Sequence, residues 1–266
     1  MTIRDVVFAP GRQALNEMHR YSPAVRSNGL LFVSGQVGSR EDGSPEPELK
    51  AQVRKAFQNL NAVLAAADCT FDDVVDVTIF MVNPAEIFET IWNEVAPEYW
   101  GQAPYPNVTG VGVTWLAGFD FEIKVTARIP PRVSTSVSRH NPTTIWDMGS
   151  LGYSQISVAE PGRIAFLSGQ VAWLPNDGDA PKDVTGQAKV VTVNLASALK
   201  ELGASGQDIV MLRVYVVDAT TEKFQQVQTF LDELKGDGMP SITTIGVQAL
   251  YSPDILVEIE MVVRVP

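Results

Sequence analysis

"LFVSGQVG" at residues 31–38 and "AFLSGQVA" at residues 165–172 are near copies of one octapeptide. Each is an apolar, β-prone run that closes on Ser-Gly-Gln-Val. A chain that carries it twice has duplicated a structural unit, a small polar site, or both. Ser34 recurs as Ser168 and Asn59-Leu60 as Asn194-Leu195. "DVVDVTIFMV" (73–82) recurs as "DIVMLRVYVV" (208–217), "PNVTGVGV" (106–113) as "PSITTIGV" (240–247), and "EIKVTARIP" (122–130) as "EIEMVVRVP" (258–266). The displacement stays at 134–136 residues, a drift that small differences in loop length produce. Between the copies "PPRVSTSVSRHNPTT" (130–144) is rich in Pro, Ser and Thr and reads as a linker, His140 included. The expected organisation is one domain over 1–131, a linker over 132–138 and a second domain over 139–266.

Both copies share a local grammar. In the first, "AVRS" and "LLFVS" flank Asn28-Gly29, a hairpin signal; the second has Pro161-Gly162 at that turn. A helix follows, with Val53, Ala56, Phe57, Leu60, Val63, Leu64 and Ala67 on one face at 3.6-residue periodicity. The second copy repeats the stripe as Ala188, Val191, Thr192, Leu195, Ala198, Leu199 and Leu202. Then come a strand, a second helix (about Pro84 to Trp100, or Thr220 to Lys235) and two last strands. The order β-β-α-β-α-β-β predicts an α+β fold with both helices on one face of each sheet. In the last strands Glu122, Lys124, Thr126 and Arg128, or Glu258 and Glu260, alternate with apolar residues. That mixed face, with Met211 and Tyr215 beside it, must meet water, the other copy or another chain. Pairing of the halves and homo-oligomerisation are both expected.

Composition narrows the function. The chain has 266 residues, 45% hydrophobic and 19% charged, with no apolar run of about 20 residues to span a bilayer. Its start lacks the pattern of a secretory signal, so a cytoplasmic location is expected. A net charge of −11 argues against nucleic acid. One cysteine, Cys69, and two histidines, His19 and His140, in no ligand spacing argue against a disulfide or zinc site. The acidic run 68–76 reads as a helix-exit loop before a metal site, and Trp92, Trp100 and Trp115 as core or interface before ligand stackers.

These segments resemble the Rid/YjgF family, the reactive-intermediate (enamine/imine) deaminases, over about Tyr21–Pro130 and again over Arg139–Pro266. The resemblance rests on "YSPAV" and "GYSQIS" before the hairpin, "VSGQV" and "LSGQV" after it, the "Q…NL…VL" helix, "DDVVDVTIF" and the closing P-x-x-T-x-x-G-V…EI segment. It implies a chorismate-mutase-like fold, trimer-like packing with small-molecule clefts between neighbouring domains, and hydrolysis of an imine or enamine without metal or organic cofactor. Carried over by position, the pocket residues are Tyr21, Ser34, Gly35 and Glu122 in copy one, and Tyr153, Ser168, Gly169 and Glu258 in copy two. The glutamates would handle water and the Ser-Gly backbone would line the pocket. The family's carboxylate-clamping arginine has no counterpart: "PNVT" and "PSIT" put Val108 and Ile242 at its position, followed by Thr109 and Thr243.

Each candidate has a plainer reading. Ser-Gly suits a β-bulge; the glutamates suit a solvated or ion-paired strand face; the tyrosines suit a hairpin. Arg213, at the position of Thr78, is either a replacement anion clamp or half of a cross-strand ion pair with Glu258 or Glu260. The leading expectation is a hydrolase for an imine or enamine bulkier or less acidic than 2-aminoacrylate. The alternatives are a non-catalytic ligand-binding or protein-stabilising module and a chorismatase-like reaction on a fused scaffold. RNA cleavage, sometimes attached to this family, fits poorly with the acidic charge.

Overall fold

The computed structural model describes residues 5–18, 22–27, 29–90, 94–101, 103–114, 116–130, 138–146, 154–159, 164–174, 180–238 and 240–266. The first half contains β1 (Asp5–Val7), α1 (Gln13–Met18), β2 (Ala24–Ser27), β3 (Leu30–Val33), β4 (Gln36–Val37), α2 (Leu49–Ala66), β5 (Val74–Met81), α3 (Pro84–Thr90), α4 (Pro97–Trp100), β6 (Asn107–Gly112) and β7 (Phe121–Arg128). The second contains β8 (Ser138–His140), β9 (Ile156–Ala159), β10 (Ile164–Gln170), α5 (Val184–Glu201), β11 (Ile209–Val217), α6 (Thr221–Lys235), β12 (Ser241–Val247), β13 (Ala249–Leu250) and β14 (Val257–Arg264).

Two open sheets result, ordered β1-β2-β3-β7-β5-β6-β13, with β4 also on β7, and β12-β11-β14-β10-β9-β8. Strands β5 and β6 pair in parallel, as do β11 and β12, because a helical crossover returns the chain to the same end of the sheet. Ser27 pairs with Leu30 across a two-residue turn, whose Gly29 has φ +76°, a conformation a side chain disfavours. Each apolar helix stripe lies under its own sheet. Phe57, Leu60 and Leu64 of α2 pack on Phe121, Ile123 and Val125 of β7; Ala188, Val191 and Leu195 of α5 pack on Val257, Ile259 and Met261 of β14.

Two readings are corrected. Residues 138–140, read as linker with His140, form β8 on the rim of the second sheet, where His140 pairs with Ile156. β1 stands in the same place on the first sheet, and both strands are too short for a periodic signal. The long helix expected over Pro84 to Trp100 is described as α3 and α4, with Pro97 at the start of α4, where its missing N–H costs nothing. Trp100 is buried in the first core, 5.3 Å from the ring of Phe57.

The helix-free faces meet each other. Val111 joins Val171, Tyr215, Val247, Leu250 and Ile255 in one apolar cluster, and Val75 meets Phe166 in a smaller one. β13, from the second half, extends the first sheet by pairing with β6. The second copy therefore completes the first copy's edge.

Candidate functional site

The repeated Ser-Gly lies at a break in the ladder. In β10, Leu167 pairs with Met261 and Gln170 with Ile259, so Ser168 and Gly169 form a bulge against β14. A bulge frees carbonyls, and the repeated glutamine covers them. Gln170 Nε2 donates to Ser168 O (3.1 Å), and Gln36 Nε2 to Ser34 O (2.9 Å). The helix asparagines hold the chain beyond the bulge: Asn59 Nδ2 donates to Val37 O and Ser39 O, and Asn194 Nδ2 to Val171 O and Trp173 O. Gln52 and Gln187 accept backbone N–H groups at the entry to the last strands. The repeated polar letters are thus largely scaffold.

The glycine has a separate purpose. A Cβ on Gly169 would lie 1.8 Å from Glu258 Oε1, and one on Gly35 would lie 1.7 Å from Glu122 Oε1. Each last-strand carboxylate rests on its bulge glycine, and only hydrogen fits between.

The two copies of this arrangement differ in what covers them. Over the second lies β6 of the first copy. Val108 N–H donates to Ser168 Oγ (3.1 Å), which donates to Ser154 O (2.6 Å). Gly169 N–H donates to Thr109 Oγ1 (2.9 Å), and Ser154 N–H to Pro106 O (3.0 Å). The structure thereby joins Ser168, Gly169 and Glu258 with Val108 and Thr109 of the opposite copy. Over the first copy, Ser34 Oγ donates to Ser22 O (2.7 Å), but no described residue covers the bulge as β6 covers the second. Phe32 beside it is 48% exposed, and Ile242 and Ile245 on β12 are 36% and 37% exposed, with Thr243 between them. Tyr21 and Tyr153 lie outside the described residues, as do Trp92, Trp115, Asn28, Pro161 and Gly162.

Glu258 is 4% exposed. Burial drives its carboxyl well above the usual range, and repulsion from Glu260 adds to the shift. Burial also raises Glu122, opposed by Lys124. Glu260 anchors a polar network across the interface: it accepts from Arg213 Nη1 (2.7 Å), Tyr215 Oη (3.2 Å) and Thr78 Oγ1 (3.3 Å). Arg213 stands opposite Glu260 in the β11–β14 ladder and is engaged there, not at Glu258. Burial works against its charge, yet Glu260 raises its pKa. Next to the network, burial and then Glu260 push Asp76 up to about 6, although Asn107 Nδ2 donates to it.

A crevice opens onto Glu258, walled by Phe88, Val108 and Gly110 of the first copy and by Gly169, Val171, Trp173, Tyr251 and Ile255 of the second. Its free volume is about 20 Å³, enough for one water. Phe88 and Tyr251 have ring centroids 4.2 Å apart, and Trp173 meets Tyr251 edge-on at 5.6 Å. Sequence reasoning missed this aromatic wall, since its members come from a helix and two loops. A signal was present in the copies' differences: Trp173 and Tyr251 align with Ser39 and Ala117. Among the described residues no three His, Cys, Asp or Glu side chains group as metal ligands, and no helix is long and apolar enough to cross a membrane.

The model of the family described as Endoribonuclease L-PSP matches residues 11–129 and again 149–265. The RutC family protein YjgH of Escherichia coli (strain K12) is 63% identical over 130 residues, 49% of this chain and 98% of the relative. A 2-iminobutanoate/2-iminopropanoate deaminase of Dermatophagoides farinae is 35% identical over 98 residues, 36% of this chain and 74% of the relative. A chorismatase crystal structure superposes with a TM-score of 0.66 over 90% of this chain and 76% of its own, at 19% identity, a likeness of fold alone.

Proposed function

The chain belongs to the Endoribonuclease L-PSP family, the Rid/YjgF (RutC-like) group, as a tandem two-domain member, and from that premise we propose that it hydrolyses a small imine or enamine to a carbonyl compound and ammonia, at the crevice over Glu258. The observation that carries this reading is a single buried carboxylate, raised in pKa, beside a space the size of one water. A carboxyl whose pKa burial has raised can act first as acid and then as base. Glu258 gives its proton to the imine nitrogen, and water adds to the carbon. The carboxylate takes the proton released by that water. Returning it to the amine nitrogen breaks the C–N bond and expels ammonia, while the hydroxyl left on the carbon gives its proton to the carboxylate, which forms the carbonyl and restores the acid. Val108 stands where the family's carboxylate clamp would be, which favours a substrate less acidic than a 2-imino acid.

The test is ammonia release from imines generated in situ, with native protein and with Glu258→Gln. Rates equal to those without protein, across acidic and neutral imines, would remove the hydrolase reading. One observation favours the rival reading, a binding module without turnover: Gly169 N–H and Ser168 Oγ are already bonded across the copies. Ligand-induced thermal stabilisation with no ammonia release would support it.

The same arrangement supports a homo-oligomer. The edge formed by Ile242, Thr243 and Ile245 corresponds to the β6 edge buried between the copies, and the bulge at Ser34 and Gly35 corresponds to the one it covers. A second chain docking its β12 there would cover the site at Glu122. The solution mass tests this, and a strictly monomeric mass at micromolar concentration counts against it.

A further inference from the structure

Among the described residues lining the crevice at Glu258, the one ionisable acid or base besides the phenol of Tyr251 is Glu258 itself. A carboxylate guest would find no cation among these described residues and would meet an acid that its own charge discourages from ionising. The remaining lining is hydrocarbon and aromatic, from both copies: Phe88 on one side, Trp173 and Tyr251 on the other. These rings already touch, and Trp146 backs Trp173 at 4.8 Å. With room for only about one water, the crevice admits a larger guest by parting the rings. Ring-to-ring contacts are then exchanged for ring-to-guest contacts. For an aryl guest that exchange is close to even, since offset and edge-to-face contacts re-form. A short alkyl guest recovers less area, and an anionic one also loses its hydration without a partner. The equivalent positions in the first copy, Ser39 and Ala117, offer no such wall.

We propose, building on the hydrolase reading, that this crevice selects imines bearing a flat aryl group and no carboxylate, with Trp173, Tyr251 and Phe88 setting the preference. Benzamide, propionamide and benzoate probe it without turnover, because the neutral amide places a carbonyl and an NH₂ where the C=N group would sit. Titration calorimetry on the full native chain is expected to give benzamide an advantage of about tenfold over each of the others, a difference of about 1.4 kcal/mol. That advantage over propionamide should fall to less than about threefold in Trp173→Ala and in Tyr251→Leu. Circular dichroism identifies any variant that fails to fold, and either folded variant is sufficient. Benzoate binding as tightly as benzamide, no aryl preference, an aryl preference that survives both substitutions, or no benzamide binding at millimolar concentration each overturns the proposal. The hydrolase reading fails separately: an aryl preference without ammonia release from any imine keeps the selectivity and removes the chemistry. Equal ammonia release from aliphatic imino acids and aryl imines does the reverse.

Discussion

The bulge at Gly169 and the bulge at Gly35 carry the same letters, the same glutamine fold-back and the same carboxylate resting on glycine, yet among the described residues only one of them is covered. Val108 and Thr109 close over Ser168 and Gly169 with one hydrogen bond to each, and Glu258 is buried beneath. Glu122 is only half-buried, and the rise that burial gives its pKa is opposed by Lys124. The difference lies in the order of the chain. When two equivalent units are joined end to end, the first unit's edge can cover the second unit's bulge, and the converse contacts remain for another molecule. A duplicated motif therefore does not amount to a duplicated site.

The largest expected effect separates the two glutamates. Glu258→Gln should lower the rate of ammonia release by roughly 100-fold or more, the usual worth of a positioned acid–base group. Glu122→Gln should change it by no more than about twofold, because the general acid–base gain needs an enclosed site. If a second chain completes the Glu122 site, the effect of Glu122→Gln should grow with protein concentration. Equal losses in both variants under dilute conditions would break the comparison.

The glycines come next. In Gly169→Ala the new methyl meets a carboxylate with nowhere to go, so unfolding by denaturant should show a loss of about 1–3 kcal/mol, the range of overpacked cores. In Gly35→Ala the half-exposed Glu122 can swing towards solvent, and the loss should stay below about 1 kcal/mol. Thr109→Val leaves the buried Gly169 N–H without its acceptor and should cost about 1–2 kcal/mol. Thr243→Val, at the exposed counterpart, should be within about 0.5 kcal/mol of native in dilute protein.

How far the sequence foresaw this contrast depends on the kind of signal. The helix stripe through Phe57 and Leu60, the order of strands and the doubling were legible because each is a local period or a repeat. The glutamates and bulge glycines were legible by position. Which copy's Val108 covers which glutamate was not, because equivalent units read alike, and their pairing is decided by three-dimensional closure. Arg213 was legible as one of two things, and register decides: the β11–β14 ladder sets it against Glu260. The crevice wall was hidden because Phe88, Trp173 and Tyr251 are far apart in the chain and follow no period. They emerge when the copies are compared for what they do not share.

The effect most gradual to read is one of pH, and it tests whether burial is what distinguishes the two glutamates. Glu258 has a folded pKa well above its ordinary 4.5, so between those values the folded chain holds more protons than the unfolded one. Its contribution to stability is then fully present below about pH 4.5 and is lost as pH rises through the folded pKa, with a slope no steeper than about 1.4 kcal/mol per pH unit for one group. Asp76 acts in the same direction, between its ordinary 3.8 and about 6. Glu258→Gln removes the first contribution and leaves Asp76 in place, so the variant should gain on the native chain as pH rises from 4.5. Glu122→Gln should show the same trend more weakly, since Lys124 opposes the burial of Glu122. Denaturant midpoints taken between about pH 4 and pH 8 measure both slopes. A Glu122→Gln slope as steep as that of Glu258→Gln would mean that cover by β6 does not set the charge state of the carboxylate beneath it, and the contrast between the two bulges would lose its electrostatic half.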